Sequence, residues 1–272
     1  MKSPGRAGQL LLLPRVIALA ARAPRDPAIA WRRYWSGVQR TGDDGDVLWD
    51  RSGTDELDRY RELVRRHLPP GPVLVDLGCG NGRFTRGLAS PGRRVVGVDL
   101  AEAAIDRART ELLEQPGATP VEYRQMDVTD PVAAQRLRDE LGECHVFVRG
   151  VLHVLDRPQR RQVAEVMAIL LGSTGVALLA ETNHRGGTLS YLAGLGATPT
   201  GLPAPLARAV GGLPRPRHFG AAELADAFPD REWDLITEST TTIGVLPMGS
   251  DRAATVPGHL AVLRPRPSSV RS

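Results

Sequence analysis

Val73-Leu-Val-Asp-Leu-Gly-Cys-Gly-Asn-Gly82 is a short apolar run that carries one carboxylate, Asp76, and then breaks into glycines at alternate positions. A run of this length that ends in turn formers reads as a buried strand, and a helical pattern opens near Arg83. Gly78, Gly80 and Gly82 lack a Cβ, so the backbone after the strand can approach a bound molecule closely. The G-x-G-x-x-G dinucleotide fingerprint is not met. Counting from Gly78 puts Arg83 where its third glycine belongs, and counting from Gly80 puts Thr85 there. The missing close helix packing argues against a nicotinamide cofactor. No Gly-Lys-Ser/Thr follows, which excludes a phosphate loop.

Outward from this run the chain alternates between helical and strand patterns. Upstream, Ser52 and Asp55 resemble a capping box, and Leu57, Tyr60 and Val64 form an apolar helical stripe that stops before Pro69 and Pro70. Downstream come a strand at Arg94 to Val98, a helix at Ala101 to Leu113 closed by Pro116 and Gly117, and a strand at Val121 to Gln125. Asp130 then caps a helix with Pro131 at its first position. A fourth strand, His145 to Val148, precedes a helix marked by Val163, Val166, Met167 and Leu170 and stopped at Gly172; a fifth is Val176 to Ala180. This spacing predicts an α/β fold with a doubly wound parallel sheet and a ligand site at the carboxyl ends of its strands. The rhythm breaks after residue 181. Residues 182 to 219 are rich in glycine and proline, including Gly186, Gly187, Gly194, Gly196, Pro199, Pro203, Gly211 and Gly212. A short helix at Ala221 to Phe228 precedes apolar runs at Trp233 to Val245 and His259 to Leu263. The connection from Pro247 to Gly258 suits an antiparallel pair and is too short for a crossover helix.

The 272 residues suit one core plus an appendage, and 29 glycines and 22 prolines without a period exclude collagen-like and wholly disordered classes. The two cysteines, Cys79 and Cys144, are too few for a disulfide framework and have no metal-ligand spacing, which points to a reducing, cytoplasmic setting and excludes a cysteine zinc site. Residues 1 to 40 hold eight basic residues, Lys2 among them, against Asp26 alone, a net charge of +7; the chain's total of +4 leaves −3 for the remainder. The basic character therefore lies in an N-terminal arm, expected over residues 1 to 51. Pro14 and Arg15 interrupt the run Leu10 to Leu13, which argues against a signal peptide, and no stretch is long enough to span a membrane. Trp31, Tyr34 and Trp35 share one helical face with Arg32 and Arg33 turned away, so a docked helix is expected from about residue 27. Such an arm can cover a site or touch a membrane surface peripherally.

Two further carboxylates complete a pattern. Val95-Val-Gly-Val-Asp99 ends the second strand in an acid able to accept from both hydroxyls of a ribose, and Gln125-Met-Asp127 ends the third in one able to accept from an exocyclic adenine amine. Each alone is a common cap or turn residue. Three of them at the ends of three consecutive strands make chance agreement improbable.

With Asp76 to Gly82, Asp99 and Asp127 in place, the chain resembles a class I S-adenosylmethionine-dependent methyltransferase over roughly Leu57 to Leu263. The resemblance implies a Rossmann-like seven-stranded sheet with an antiparallel last strand, filling residues 52 to 265 ahead of a frayed tail at 266 to 272. It implies S-adenosyl-L-methionine as cofactor. Gly78, Cys79, Gly80 and Gly82 would form the loop under the methionine and ribose, organised by Asp76. Asp99 would bind the ribose, Leu100 would pack on the adenine, and Met126, Asp127 and Val128 would lie along its edge. Backbone near Arg149 would meet the methionine end.

Methyl transfer needs an in-line nucleophile, exclusion of water and, for a protonated acceptor, a base. His153 and His184, just past the fourth and fifth strands, are the candidates; Tyr191 and His218 flank the glycine-rich insertion. An outward-facing side chain is the default reading of Arg149, with an acidic acceptor as the alternative. No Asn/Asp-Pro-Pro-Tyr/Phe and no Pro-Cys follows the fourth strand, which disfavours amide or exocyclic-amine methylation and covalent attack on pyrimidine carbon-5. Arg149 stands near the strand end where metal-dependent catechol-type enzymes place an aspartate. Asp43, Asp44 and Asp46 lack the periodicity of an EF-hand, so no metal is expected. What remains is a small-molecule acceptor, of secondary-metabolite or lipid-like kind, held between the core, the arm and residues 182 to 219. An RNA acceptor, suggested by the arm alone, and a purely structural use of the cofactor are the alternatives.

Overall fold

The parallel core forms because each short apolar strand is followed by a helix long enough to cross back over the sheet. The computed structural model describes residues 6–51, 54–115, 119, 121–184, 188–198, 200–246 and 254–267. Lys2, Ser52, Pro116, Gly117, Gly186, Gly187, Pro199, Pro247 and residues 268–272 of the expected tail lie outside them. The chain begins with α1 (Arg6–Ala20), α2 (Pro27–Ser36) and α3 (Thr54–His67). The core follows as β1 (Leu74–Leu77), α4 (Arg83–Leu88), β2 (Val95–Asp99), α5 (Glu102–Leu113), β3 (Val121–Gln125), α6 (Pro131–Leu141), β4 (His145–Arg149), α7 (Arg157–Leu171) and β5 (Ala177–Thr182). The remainder is α8 (Thr188–Gly194), α9 (Ala204–Gly212), α10 (Ala221–Ala227), β6 (Trp233–Val245) and β7 (Ala254–Pro265).

Seven strands make one sheet in the order β3-β2-β1-β4-β5-β7-β6. β1 to β5 are parallel, and β7 pairs antiparallel with both β5 and β6. The chain leaves β1 toward β2 and β3 and later returns to its other side at β4. The carboxyl ends of β1 and β4 therefore open the crevice in which such sheets bind ligands. Both faces are covered. Val75, Leu77, Val96, Val98, Val146 and Val148 pack with α6 and α7, whereas Leu74, Val95, Phe147 and Leu178 pack with Tyr60, Ile105 and Ala108. Asp130 caps α6 by accepting from the Val132 and Ala133 amides, and Asp156 caps α7 within a capping box with Gln159.

Three segments hold more regular structure than the sequence reading specified. Helix α1 continues through Pro14. The ring costs a hydrogen bond inside a helix, and burial of Leu12 and Val16 beside α8 and α9 offsets it. The glycine- and proline-rich segment holds two helices, α8 and α9, because Leu192, Leu195 and Leu206 have a common apolar cluster to enter and Pro203 presets the entry to α9. Strand β7 extends well before His259, drawn out by pairing along the whole length of β6. The arm docks as expected: α2 starts at an Asp26 cap, buries Tyr34 and Trp35, and leaves Arg32 and Arg33 exposed. Among the described residues no helix is long and apolar enough to cross a membrane.

Phe147 is fully buried at the sheet centre against Tyr60 and Phe84. We predict that Phe147→Ala lowers the unfolding free energy by about 3–5 kcal/mol in urea denaturation; a loss below about 1 kcal/mol would contradict this packing.

Candidate active site

The loop after β1 is held open by backbone geometry. Gly78, Gly80 and Gly82 have φ of 75°, 55° and 72°, all in the left-handed region, where a side chain is strained. The Gly78 and Cys79 amides both donate to the Val98 carbonyl, at 2.8 and 2.9 Å, tying the loop to β2. Space forbids a side chain as well: a Cβ on Gly80 would stand 2.9 Å from the Trp35 ring, and one on Gly78 would stand 2.5 Å from Val151. Asp76 lies behind the loop, where Thr85 Oγ1 donates to its Oδ2 at 2.6 Å. Burial, with Asp99 adding to it, pushes the Asp76 carboxyl up to about 7. Burial likewise pushes the Cys79 thiol well up, so no reactive thiolate stands here.

Asp99 ends β2 with Oδ2 accepting from the Gly80 amide and Oδ1 from the Ala101 amide, both at 2.9 Å. Its burial raises the carboxyl above the ordinary value, and those amides counteract the rise. Asp127 Oδ1 is fixed by the Thr129 amide and hydroxyl at 2.9 and 2.7 Å. The Met126 amide donates to the Asp99 carbonyl at 2.9 Å, and its side chain enters the core.

One continuous cavity runs over these strand ends. Gly78, Gly80, Asp99, Leu100, Asp127 and Val128 form one end. Arg149, Gly150, Val151 and His153 lie along it, and the other end is apolar, lined by residues of α2, α8, α9 and β6. Asp76, Cys79, Gly82 and Met126 stand behind this wall and are not part of it.

The polar residues beyond β4 do not all fall where the sequence suggests. Arg149 is buried, not outward-facing. Its Nε meets Glu56 Oε1 at 2.7 Å and its guanidinium lies 4.3 Å from the Phe84 ring centre. An acidic acceptor has no claim on a guanidinium already paired in this way. Glu56 also accepts from the Tyr60 hydroxyl and the Gly244 amide, which joins α3, β4 and β6. Burial works against ionising Glu56, yet Arg149 holds its carboxyl below the usual range. His153 reaches the cavity, with Nδ1 2.9 Å from Glu181 Oε2. His184 does not reach it: the ring packs on Tyr191 at 5.0 Å, and burial with His218 nearby lowers its pKa. Tyr191 lines the cavity, and His218 pairs with Glu223 at 3.6 Å outside it.

Several contributors escape a strand-by-strand reading. Asn81 donates to Asp50 at 2.8 Å, and Asp50 also accepts from the Gly42 amide at 2.7 Å, so the segment after α2 is latched to the glycine loop. Trp35 covers Gly80. Glu181, at the end of β5, was detectable by the strand-end rule that found Asp76 and Asp99.

A methyltransferase-domain model matches residues 74–175, which contain the loop, Asp99, Asp127 and His153. A crystal structure of a SAM-dependent methyltransferase from Anabaena variabilis superposes with a TM-score of 0.71 at 26% identity, covering 90% of this chain and 97% of that one. Residues 74–175 thus match a methyltransferase domain, and the fold is similar to that of class I S-adenosylmethionine-dependent methyltransferases. The cofactor of these methyltransferases is S-adenosylmethionine. Among curated members, a ubiquinone biosynthesis O-methyltransferase of Leptothrix cholodnii is 30% identical over 114 residues, 42% of this chain and 46% of that protein. A release factor glutamine methyltransferase of Mycobacterium leprae is 30% identical over 177 residues, 61% and 57% of the two. The matches thus span about half the length of these curated methyltransferases.

The raised Asp76 carboxyl gives a pH signature. In the unfolded chain Asp76 ionises near 3.8, in the folded one near 7. Its stabilising contribution is full below about 4 and is lost as pH rises through 7. Relative to Asp76→Asn, the native protein should therefore lose about 2–4 kcal/mol of stability between pH 4 and pH 7.5. Parallel stability curves for the two proteins would refute the buried neutral acid.

Proposed function

We propose that this protein is an S-adenosylmethionine-dependent methyltransferase acting on a small-molecule acceptor. The observation that carries the reading is the single cavity that joins the Gly78–Gly80 and Asp99 cradle to an apolar chamber. In this reading Asp99 takes the two ribose hydroxyls, which would also relieve the cost of its burial. Leu100 and Val128 flank the adenine, Asp127 accepts from its exocyclic amine, and the backbone of Gly78 to Gly80 runs under the methionine end. Asp76, Cys79, Gly82 and Met126 hold this wall from behind. S-adenosylmethionine, when bound, supplies a methyl group made electrophilic by the sulfonium. The chain's own contribution is to orient the acceptor and exclude water.

The arm and residues 182 to 219 make the acceptor chamber. Pro27, Ala28 and Trp31 of α2, Leu206 and Val210 of α9, and Leu192 of α8 all face it. Such a roof admits a compact apolar molecule and leaves little room for a polynucleotide backbone, which favours a metabolite over RNA.

Calorimetry should detect binding of S-adenosylmethionine and of S-adenosylhomocysteine, and Asp99→Ala should weaken both by about 1–3 kcal/mol. Gly80→Ala, strained at φ 55° and pressed against Trp35, should cost at least about tenfold in affinity, about 1.4 kcal/mol. Folded protein that binds neither compound would sink the assignment. Tight, steeply salt-dependent RNA binding that disappears on removal of residues 1 to 40 would move the acceptor to RNA.

A further inference from the structure

His153 stands on a 3-10 turn, Leu152–Val154, directly after β4. Its orientation is set by a carboxylate that the sheet delivers from the next strand. Glu181 is fully buried, and both of its oxygens are engaged. Oε1 accepts from the Val151 and Leu152 amides at 3.0 and 2.8 Å. Oε2 accepts from the His153 amide at 3.1 Å and meets His153 Nδ1 at 2.9 Å. A carboxylate accepts and cannot donate, so the ring proton resides on Nδ1 and the lone pair on Nε2. The ring lines the cavity, at the junction between the cradle and the apolar chamber. An imidazole with a fixed tautomer and a buried carboxylate behind it, lining a ligand-sized cavity, is the arrangement of a general base.

The chamber limits what that base can act on. Its walls beyond His153 are Leu48, Trp49, Leu195, Leu206, Leu213, Ile243 and their neighbours; the Arg149 guanidinium, which donates to the Gly244 carbonyl beside Ile243, is already committed to Glu56. A cationic or anionic acceptor would have to shed its water there with no counter-charge other than one already paired, which is costly. The acceptor that fits is neutral and apolar, and it carries a proton that imidazole can remove. A phenolic hydroxyl, with a pKa of about 10, lies within a few units of an ordinary imidazole; an aliphatic alcohol is far beyond it.

We propose that the Glu181-oriented imidazole of His153 is the general base for O-methylation of a neutral, apolar phenol seated between His153 and the apolar chamber. The inference rests on the methyltransferase reading above. In the step, the phenolic O–H and the methyl–sulfur bond break and an O–CH3 bond forms. The carbon–sulfur electron pair stays on sulfur, which becomes a neutral thioether, and the proton passes to Nε2 and afterwards to water. The positive charge formed on the ring is balanced by Glu181, which acts through His153 and is a positioning residue.

Two measurements on the full-length protein test this. Long-range 1H–15N spectra of 15N-histidine-labelled protein with S-adenosylhomocysteine, assigned with His153→Gln, should show Nδ1 protonated and Nε2 bare. Glu181→Gln should lose that fixed tautomer. The opposite tautomer in the native protein overturns the proposal. Transfer is then followed from methyl-labelled S-adenosylmethionine to alkyl- and aryl-substituted phenols, with the matching anilines and benzyl alcohols as controls. Methyl ethers of the phenols are expected. His153→Gln and Glu181→Gln should each reduce their formation by about 100-fold or more, while S-adenosylhomocysteine affinity changes less than about twofold. Preferential methylation of the anilines or alcohols, methylation at ring carbon, or no transfer to any phenol by protein that binds the cofactor overturns the proposal. Should Glu181→Gln fail to fold, His153→Gln, at a partly exposed position, carries the test alone. Failure of the native protein to bind S-adenosylhomocysteine would instead remove the underlying methyltransferase reading.

Discussion

Every contact of the site refers back to the left-handed backbone of the loop between β1 and α4. A chain that must leave a buried parallel strand and enter a helix within five residues has few routes. This one takes the route that turns amides toward β2 and keeps side chains out of the space above. The Val98 carbonyl receives two amides from the loop and the Asp99 carboxylate a third. The position of the second strand's acid and the shape of the first loop are thus fixed by one another. The arm joins the same unit through the bond from Asn81 to Asp50 and the Trp35 ring above Gly80. Cradle and roof are consequently parts of one folded object.

One buried ion pair joins elements far apart in the chain. Glu56 and Arg149 sit 93 positions apart, and with Gly244 they connect a helix before the sheet, a central strand and the outermost one. Pairs like this add little net stability over an apolar replacement, but they are costly to half-remove. They therefore select one arrangement of strand ends over its near alternatives. Glu181 does the same locally, gathering three consecutive amides and a ring nitrogen that would otherwise point at each other without an acceptor.

The parallel half of the fold was legible because its signals are local: Asp130 with Pro131, Gly172 after an apolar stripe, and short β-branched runs ending in acids. The three carboxylates and the glycines of the cradle were legible for the same reason. The failures share the opposite cause. A helix over residues 6–20 is not specified until Leu12 and Val16 are seen to have partners from α8 and α9. Arg149 reads as a surface residue until Glu56 arrives from another helix. His184 and His153 look alike in sequence, each just beyond a strand end. Only the tertiary placement of Glu181 and Tyr191 separates a ring aimed at the cavity from one packed beside it.

The aromatic group Trp31, Tyr34, Trp35 and Trp49 packs edge to face and stacked over the mouth of the cradle. These four rings hold one another as well as Gly80, so α2 is seated by mutual aromatic packing and not by one anchoring contact. A change at any one ring would be felt through the others at the wall above Gly80.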